Sequence, residues 1–240
     1  MMARLLVAAL VALAATITSA RAQEGERAEM VVELFTSQGC VQCPRANRLL
    51  GMFAREDDVL ALTFPVGIWD YLGWRDTYAQ PEFSDRQRAY SRAMRVRGRF
   101  TPQLVINGAR QTSASDWDQA RANYEAQQAA GWPAGAPHLS ITRLRNGRVR
   151  VTLGASAVTQ EADVWLAAFD PGPLTVIVTG GLNRDRTISH YNLVRRIERL
   201  DNWTGRPVWY ERARCTPQCA VIVQAPNGGP ILAAAFTSED

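Results

Sequence analysis

Met30-Val31-Val32-Glu33-Leu34-Phe35-Thr36-Ser37-Gln38-Gly39-Cys40-Val41-Gln42-Cys43-Pro44 places a strand, a break and a cysteine-led helix in direct succession. Residues 30–36 are a short apolar run with one acid inside it, which predicts a buried strand. Ser37-Gln38-Gly39 ends that run, and the two cysteines follow at once. Pro44 suits a first helical turn, where its missing N–H has no intrahelical partner. Leu49, Leu50, Met52 and Phe53 give a helix over 44–54 one buried face. Residues 59–64, Val-Leu-Ala-Leu-Thr-Phe, predict a second buried strand. The unit is β-α-β, which implies a parallel pair joined by a right-handed crossover.

Two cysteines at this spacing have a chemical rationale. Both sulfurs come to one side of the first turn, where unpaired N–H groups and the helix dipole stabilise a thiolate on the first. Cys40 is then the exposed nucleophile, and Cys43 resolves the mixed disulfide. A structural disulfide has the same pattern. So does half of a zinc site completed by Cys215 and Cys219.

Beyond this unit comes an aromatic loop, Trp69-Asp70-Tyr71-Leu72-Gly73-Trp74. It either walls a groove beside Cys40 or packs over a sheet edge. Ser84 reads as the N-cap of a helix running to about residue 96. Thr101-Pro102 precedes a strand over 103–106, and Asn107-Gly108 is a strong hairpin signal because both central residues of a type I′ turn need positive φ. A return strand over 109–112 follows, and Ser115 caps a last helix to about residue 130. Gly131-Trp132-Pro133-Ala134-Gly135-Ala136-Pro137 then marks a boundary by composition. After it, strands are expected over 139–144, 149–153, 164–169, 174–178, 188–197, 208–212, 220–224 and 231–236. Such spacing predicts a compact antiparallel sandwich or barrel.

The chain of 240 residues opens with Arg4, an apolar run over 5–15 and Ala20-Arg21-Ala22, the pattern of a cleaved export signal. The apolar core is shorter than the ~20 residues that span a bilayer. The expectation is a periplasmic or secreted chain, with no membrane insertion once 1–22 is removed. The net charge of +4 falls to +2 when Arg4 and Arg21 are set aside, and no polybasic cluster points to nucleic acid. All 27 basic residues are arginine, which excludes Schiff-base chemistry on lysine. His138 and His190, the two histidines, lie far apart in sequence and are not read as ligands. No metal or cofactor is expected. In an oxidising compartment, Cys215-Thr216-Pro217-Gln218-Cys219 reads as a tight structural disulfide, with a redox relay from the first pair as the alternative.

The order strand, Cys-x-x-Cys helix, strand, helix, Thr-Pro, strand, Asn-Gly, strand, helix resembles the thioredoxin fold over roughly residues 28–131. That resemblance implies that Pro102, preceded by Thr101, is a cis-proline that accepts the substrate backbone opposite the cysteines. It also implies that Glu33 is the buried acid that shuttles a proton to the resolving thiol. More specifically, residues 32–40, Cys43-Pro44, the Trp69 to Trp74 loop and Thr101-Pro102-Gln103 are similar to the secreted domain-of-unknown-function family 1223 (DUF1223). Val41-Gln42 departs from the small polar pair expected between those cysteines.

The sequence reading is therefore a mixed α/β (α+β) chain: an export signal over 1–22, a thioredoxin-like domain over 23–132 and a β-rich, sandwich-like domain over 133–240. Its function is read as periplasmic thiol–disulfide exchange with protein thiols or disulfides, or with a small thiol. The competing reading is a non-catalytic secreted binding protein with two inert disulfides.

Overall fold

A computed structural model describes residues 23–156, 161–212, 215 and 217–237, and the expected export signal lies outside them. The chain runs β1 (Gln23–Glu24), β2 (Glu26–Ala28), β3 (Met30–Thr36), α1 (Cys43–Phe53), β4 (Val59–Pro65), α2 (Pro81–Ala93), β5 (Gln103–Ile106), β6 (Arg110–Ser113) and α3 (Trp117–Ala130). It continues with β7 (Leu139–Arg143), β8 (Val149–Leu153), β9 (Ala162–Asp170), β10 (Leu174–Ile177), β11 (Thr187–His190), β12 (Leu193–Trp203), β13 (Val208–Arg212), β14 (Gln218–Gln224) and β15 (Ile231–Phe236). The architecture is mixed α+β.

A nine-stranded sheet, in the order β2-β15-β14-β9-β12-β4-β3-β5-β6, organises the chain. β3 and β4 are parallel, as are β4 and β12; the other pairings in this sheet are antiparallel. Alternation along β3 divides its side chains between two layers. Met30, Val32 and Leu34 pack with Ala46, Leu49 and Leu50 of α1 and Ala120 of α3. Val31 and Phe35 face the opposite way, into a core shared with Phe83 and Tyr90 of α2. Each such aliphatic or aromatic side chain contributes about 1.5–3 kcal/mol by burial. That second core continues through Ala167, Val194 and Ile222 of the later strands.

A four-stranded sheet, β1-β7-β8-β13, covers the other face of those later strands. Ile141, Val149 and Val151 meet Val164, Leu166, Val221 and Val223 there, which is a sandwich arrangement. The boundary expected at 132/133 falls between α3 and β7, while strands from both sides of it share the nine-stranded sheet.

Three local expectations differ from the structure. α2 begins at Pro81 with Gln80 as its cap, so Ser84 lies inside the helix; Pro81 brings the helical φ and lacks the N–H that would go unpaired. Asp116 rather than Ser115 caps α3, its carboxylate accepting from Gln119 N–H at 3.0 Å. The single strand expected over 188–197 is two strands: β11 pairs with β10, and β12 with β9 and β4. Asn192, at φ 45°, turns the chain between them. Asn107 and Gly108 have φ 47° and 62°, matching the hairpin requirement.

Candidate functional site

The end of β3 and the start of α1 are joined by two tight turns. Cys40 N–H donates to Ser37 O at 3.1 Å, and Cys43 N–H donates to Cys40 O at 3.2 Å. Cys40 and Cys43 form a disulfide with Cα atoms 5.3 Å apart. Cys43 is fully buried and Cys40 is 6% exposed, while Val41 between them is 49% exposed. The first turn of α1 contains no acidic residue and includes Arg45. A thiolate forming on Cys40 therefore meets a helix N-terminus with no carboxylate in its first turn.

Antiparallel pairing of β5 with β3, with Gln103 opposite Phe35, brings Thr101 and Pro102 beside the cysteine loop. The Thr101–Pro102 peptide is cis. Cys40 Sγ lies 3.6 Å from the Thr101 carbonyl oxygen. Thr101, Pro102, Cys40 and Cys43 are thus brought together.

Polar ties fix the loop from both sides. Asn183 Nδ2, from the turn Gly181–Asn183, donates to Gln38 O at 2.9 Å and Cys40 O at 2.8 Å. Gln38 N–H donates to Asp76 Oδ2 at 2.7 Å, and Trp74 Nε1 donates to Gln38 Oε1 at 2.9 Å. Trp69 Nε1 donates to Thr101 Oγ1 at 2.8 Å. A Cβ at Gly39 would sit 3.0 Å from Trp69 Cβ, so glycine permits this approach. The aromatic loop therefore packs on the cysteine loop, leaving Tyr71 75% exposed at the rim. Burial pushes the Asp76 carboxyl up to about 6, against the N–H groups of Gln38 and Tyr78 that favour its charge.

Beneath the loop, Thr36 Oγ1 donates to Asn47 Oδ1 at 2.7 Å, and Asn47 Nδ2 lies 3.4 Å from His190 Nδ1. Asn47 follows Cys43 by one helical turn. His190 is fully buried and packs edge-on to Tyr78. Burial, then the charge of Arg195, lowers its pKa to about 4. The ring is neutral near pH 7.

Glu33 is elsewhere. It occupies an α2-facing position of β3, where it accepts from Arg86 Nε at 2.7 Å and from the Tyr90 hydroxyl. Thr36, three residues on, faces α1. The expected approach of Glu33 to Cys43 is corrected by this alternation. Burial alone would lower the Arg86 pKa, but the adjacent Glu33 charge raises it overall.

Cys215 and Cys219 form a second disulfide, buried between the sheets of the sandwich, with Cα atoms 5.7 Å apart. Arg143 braces it by donating to Cys215 O at 3.3 Å and Pro217 O at 2.8 Å. β9, β12 and β4 separate β14 from β3, four strand spacings or on the order of 19 Å. The structure brings the two pairs together neither for a relay nor for a shared tetrahedral zinc site. Among the described residues, no group of three or more His, Cys, Asp or Glu is placed to hold a metal. None of their helices is long and apolar enough to cross a membrane.

Sequence reasoning missed Gln38, Asp76, Asn183 and the placement of His190. One local signal was Gly180-Gly181 before Asn183: a Cβ at Gly180 would lie 2.7 Å from Gly73 O, so the backbones could not approach.

The family model described as protein of unknown function (DUF1223) matches residues 31–224. The solved structure of protein AGR_C_4864 from Agrobacterium tumefaciens is 28% identical, with a TM-score of 0.73 covering 90% of this chain and 96% of that one. HBP35 of Porphyromonas gingivalis is similar in fold at 12% identity, with a TM-score of 0.58 covering 90% of this chain and 76% of that one. No curated protein matches.

Proposed function

The chain belongs to the DUF1223 family, and from that premise and the geometry of the cysteine loop we propose an exported, thioredoxin-like thiol–disulfide oxidoreductase working through Cys40 and Cys43. The observation that carries this reading is the position of Cys40. Its sulfur sits at the entrance to α1, beside the Thr101 carbonyl and the cis-Pro102, with Val41 and Tyr71 exposed at the rim. Partners are protein thiols or disulfides, or a small thiol.

In the oxidising direction, a substrate thiolate attacks Cys40 Sγ. The new S–S bond forms as the Cys40–Cys43 bond breaks, and Cys43 leaves as a thiolate that takes a proton. A second substrate thiolate then attacks its own half of the mixed disulfide and releases Cys40. Two substrate thiols become one disulfide, while the protein gains two electrons and two protons. The reverse sequence reduces a substrate disulfide. The Cys40 carbonyl tied by Asn183 and the Thr101 hydroxyl tied by Trp69 keep both sides of the site in place during exchange.

The limited exposure of both sulfurs favours the competing reading, an inert disulfide in a binding protein. Trapping separates the two. Cys43→Ala removes the resolving step, so Cys40 should accumulate as covalent, reductant-sensitive adducts on non-reducing gels. Cys40→Ala should trap far fewer. Cys215→Ala with Cys219→Ala should leave trapping intact and cost about 2 kcal/mol of stability for so short a loop. A folded Cys43→Ala protein without adducts would move the assignment to the binding protein.

A further inference from the structure

Three segments meet at Cys40, and each leaves one large apolar side chain exposed. Asn183, in the turn Gly181–Asn183, donates to the Gln38 and Cys40 carbonyls, and Trp69 of the aromatic loop closes on Gly39. The turn also packs on the aromatic loop, since a Cβ at Gly181 would lie 2.9 Å from Trp74 Cβ. Val41 is 49% exposed on the cysteine loop, Tyr71 75% on the aromatic loop and Leu182 58% on the turn. We propose that this surface receives an extended segment of a partner protein whose cysteine is flanked by apolar residues and carboxylates. The proposal rests on the exchange reading of Cys40 and Cys43 and names its substrate class, a polypeptide rather than a small thiol.

Among the described residues seven large apolar side chains are exposed, and three of them stand on these short segments. Scattered singly they would need no explanation, but gathered from separate segments around one sulfur they mark a contact surface. Cys40 itself is 6% exposed, so a partner sulfur has to come in closely to reach it. A chain that presents a cysteine there carries its neighbouring residues across the rim, because successive residues advance by about 3.3–3.6 Å. A small thiol brings no such neighbours and leaves the three apolar side chains in water. Val41 departs from the small polar residue expected between the cysteines, and an apolar substrate accounts for that departure.

Charge supplies the other half of the partner's chemistry. Arg45 lies in the first turn of α1, Arg75 follows Trp74, Arg99 precedes Thr101 by two residues, and Arg184 follows Asn183. All four are exposed, and none joins an ion pair among the described residues. Of the acids on the same segments, Asp76 is buried with its carboxylate on Gln38 N–H, and Asp70 is half-buried and accepts from Asp76 N–H. Asp185 is the exposed acid, one against four arginines. Carboxylates beside the partner's cysteine meet this unmatched positive charge, which speeds encounter and weakens with salt.

Short single-cysteine peptides test this against the oxidised chain. The first has Leu and Phe beside the cysteine and two Glu; the second has Ser and Gly in place of Leu and Phe; the third has two Arg in place of Glu. Glutathione is the small thiol. Excess thiol reduces the Cys40–Cys43 disulfide: one thiolate bonds to Cys40 Sγ as Cys43 leaves, and another takes the first as a disulfide and frees Cys40. Rates are read by acid quench, alkylation and mass, each divided by the rate of the same thiol with a small disulfide. At low salt the first peptide should lead every other probe roughly 10-fold or more. High salt should shrink its lead over the Arg peptide. Leu182→Ser with Tyr71→Ser should slow it roughly 10-fold relative to glutathione, while Arg184→Glu should shrink chiefly its lead over the Arg peptide. Equal rates for the apolar and polar peptides, or a fastest rate with glutathione or the Arg peptide, would overturn the proposal. A copy of the first peptide with serine for cysteine separates the surface from the exchange reading. NMR of the oxidised chain should show it binding at Tyr71 and Leu182. Binding of this copy without oxidation of any thiol would sink the exchange reading and leave the surface; exchange with the peptides but no binding would sink the surface and leave the exchange.

Discussion

On one face of β3, Thr36 reaches Asn47 and through it His190, beneath the cysteine loop; on the other, Glu33 reaches Arg86 and Tyr90, beneath α2. Both layers are buried and polar, but their chemistry differs. The α1 side holds hydroxyl, amide and neutral imidazole groups. The α2 side holds a full ion pair whose charges are already matched. A charge appearing on a cysteine would be new to the first layer, where the N-terminus of α1 stabilises it. The second layer is a fixed electrostatic structure. One strand thus serves a changeable site and a static core, because its side chains alternate between them.

The largest expected effect breaks the static side. Glu33→Ala leaves the Arg86 guanidinium buried without its counter-charge, and such a change costs about 3–5 kcal/mol. Urea denaturation should show that loss. If the two faces act separately, the alkylation rate of Cys40 in the reduced, native protein should stay at its wild-type value. A rate that moves with Glu33 would show that the ion pair governs the cysteines after all.

How much of this was legible follows from the same alternation. The strand, the break and the cysteine helix were readable because local signals agree: an apolar run, Ser-Gln-Gly, then Pro44 in a first turn. Asn107-Gly108 was readable because its turn demands positive φ. Glu33 was misplaced because its layer depends on tertiary register and on where α2 docks. Asn183 and His190 reach the site from 145 and 143 residues away in sequence from the residues they meet, Gln38 and Asn47. The parallel pairing of β12 with β4 connects the later strands to the cysteine-bearing part of the sheet. No local pattern encodes that pairing.

A second effect, about 3 kcal/mol for each of two opposing groups, sharpens the contrast on the changeable side. His190 has its folded pKa lowered to about 4 from 6.5, so its contribution to stability is present above pH 6.5 and lost as pH falls toward 4. Asp76 has its folded pKa raised to about 6 from 3.8, so its contribution is present below pH 3.8 and lost as pH rises through 6. The two trends nearly cancel between pH 4 and 6.5. His190→Gln should therefore make the protein gain stability on acidification relative to wild type, and Asp76→Asn should make it lose stability. Chemical denaturation at pH 4, 5 and 6.5 reads both. Parallel curves for all three proteins would show that neither buried group titrates as described.

The smallest effect concerns the clasp between the later strands and the cysteine loop. Asn183 gives two hydrogen bonds from one amide nitrogen, to the carbonyls of Gln38 and Cys40. Asn183→Ala removes both and leaves two buried carbonyl groups without that donor, which should cost about 1–2 kcal/mol. Because these carbonyls belong to the turns that lead into α1, the loss should fall on that loop before it reaches the sandwich. Local opening then becomes roughly 5–30-fold more frequent, and hydrogen exchange at the Cys40 and Cys43 amides should rise by that factor. The amides of β14, paired on both edges by β9 and β15, should change only as far as global stability does. A uniform acceleration across both regions would mean that Asn183 supports the whole fold and leaves the loop no independent freedom. A rise confined to the loop, joined by faster alkylation of reduced Cys40, would show that the later strands regulate access to the disulfide through a single amide.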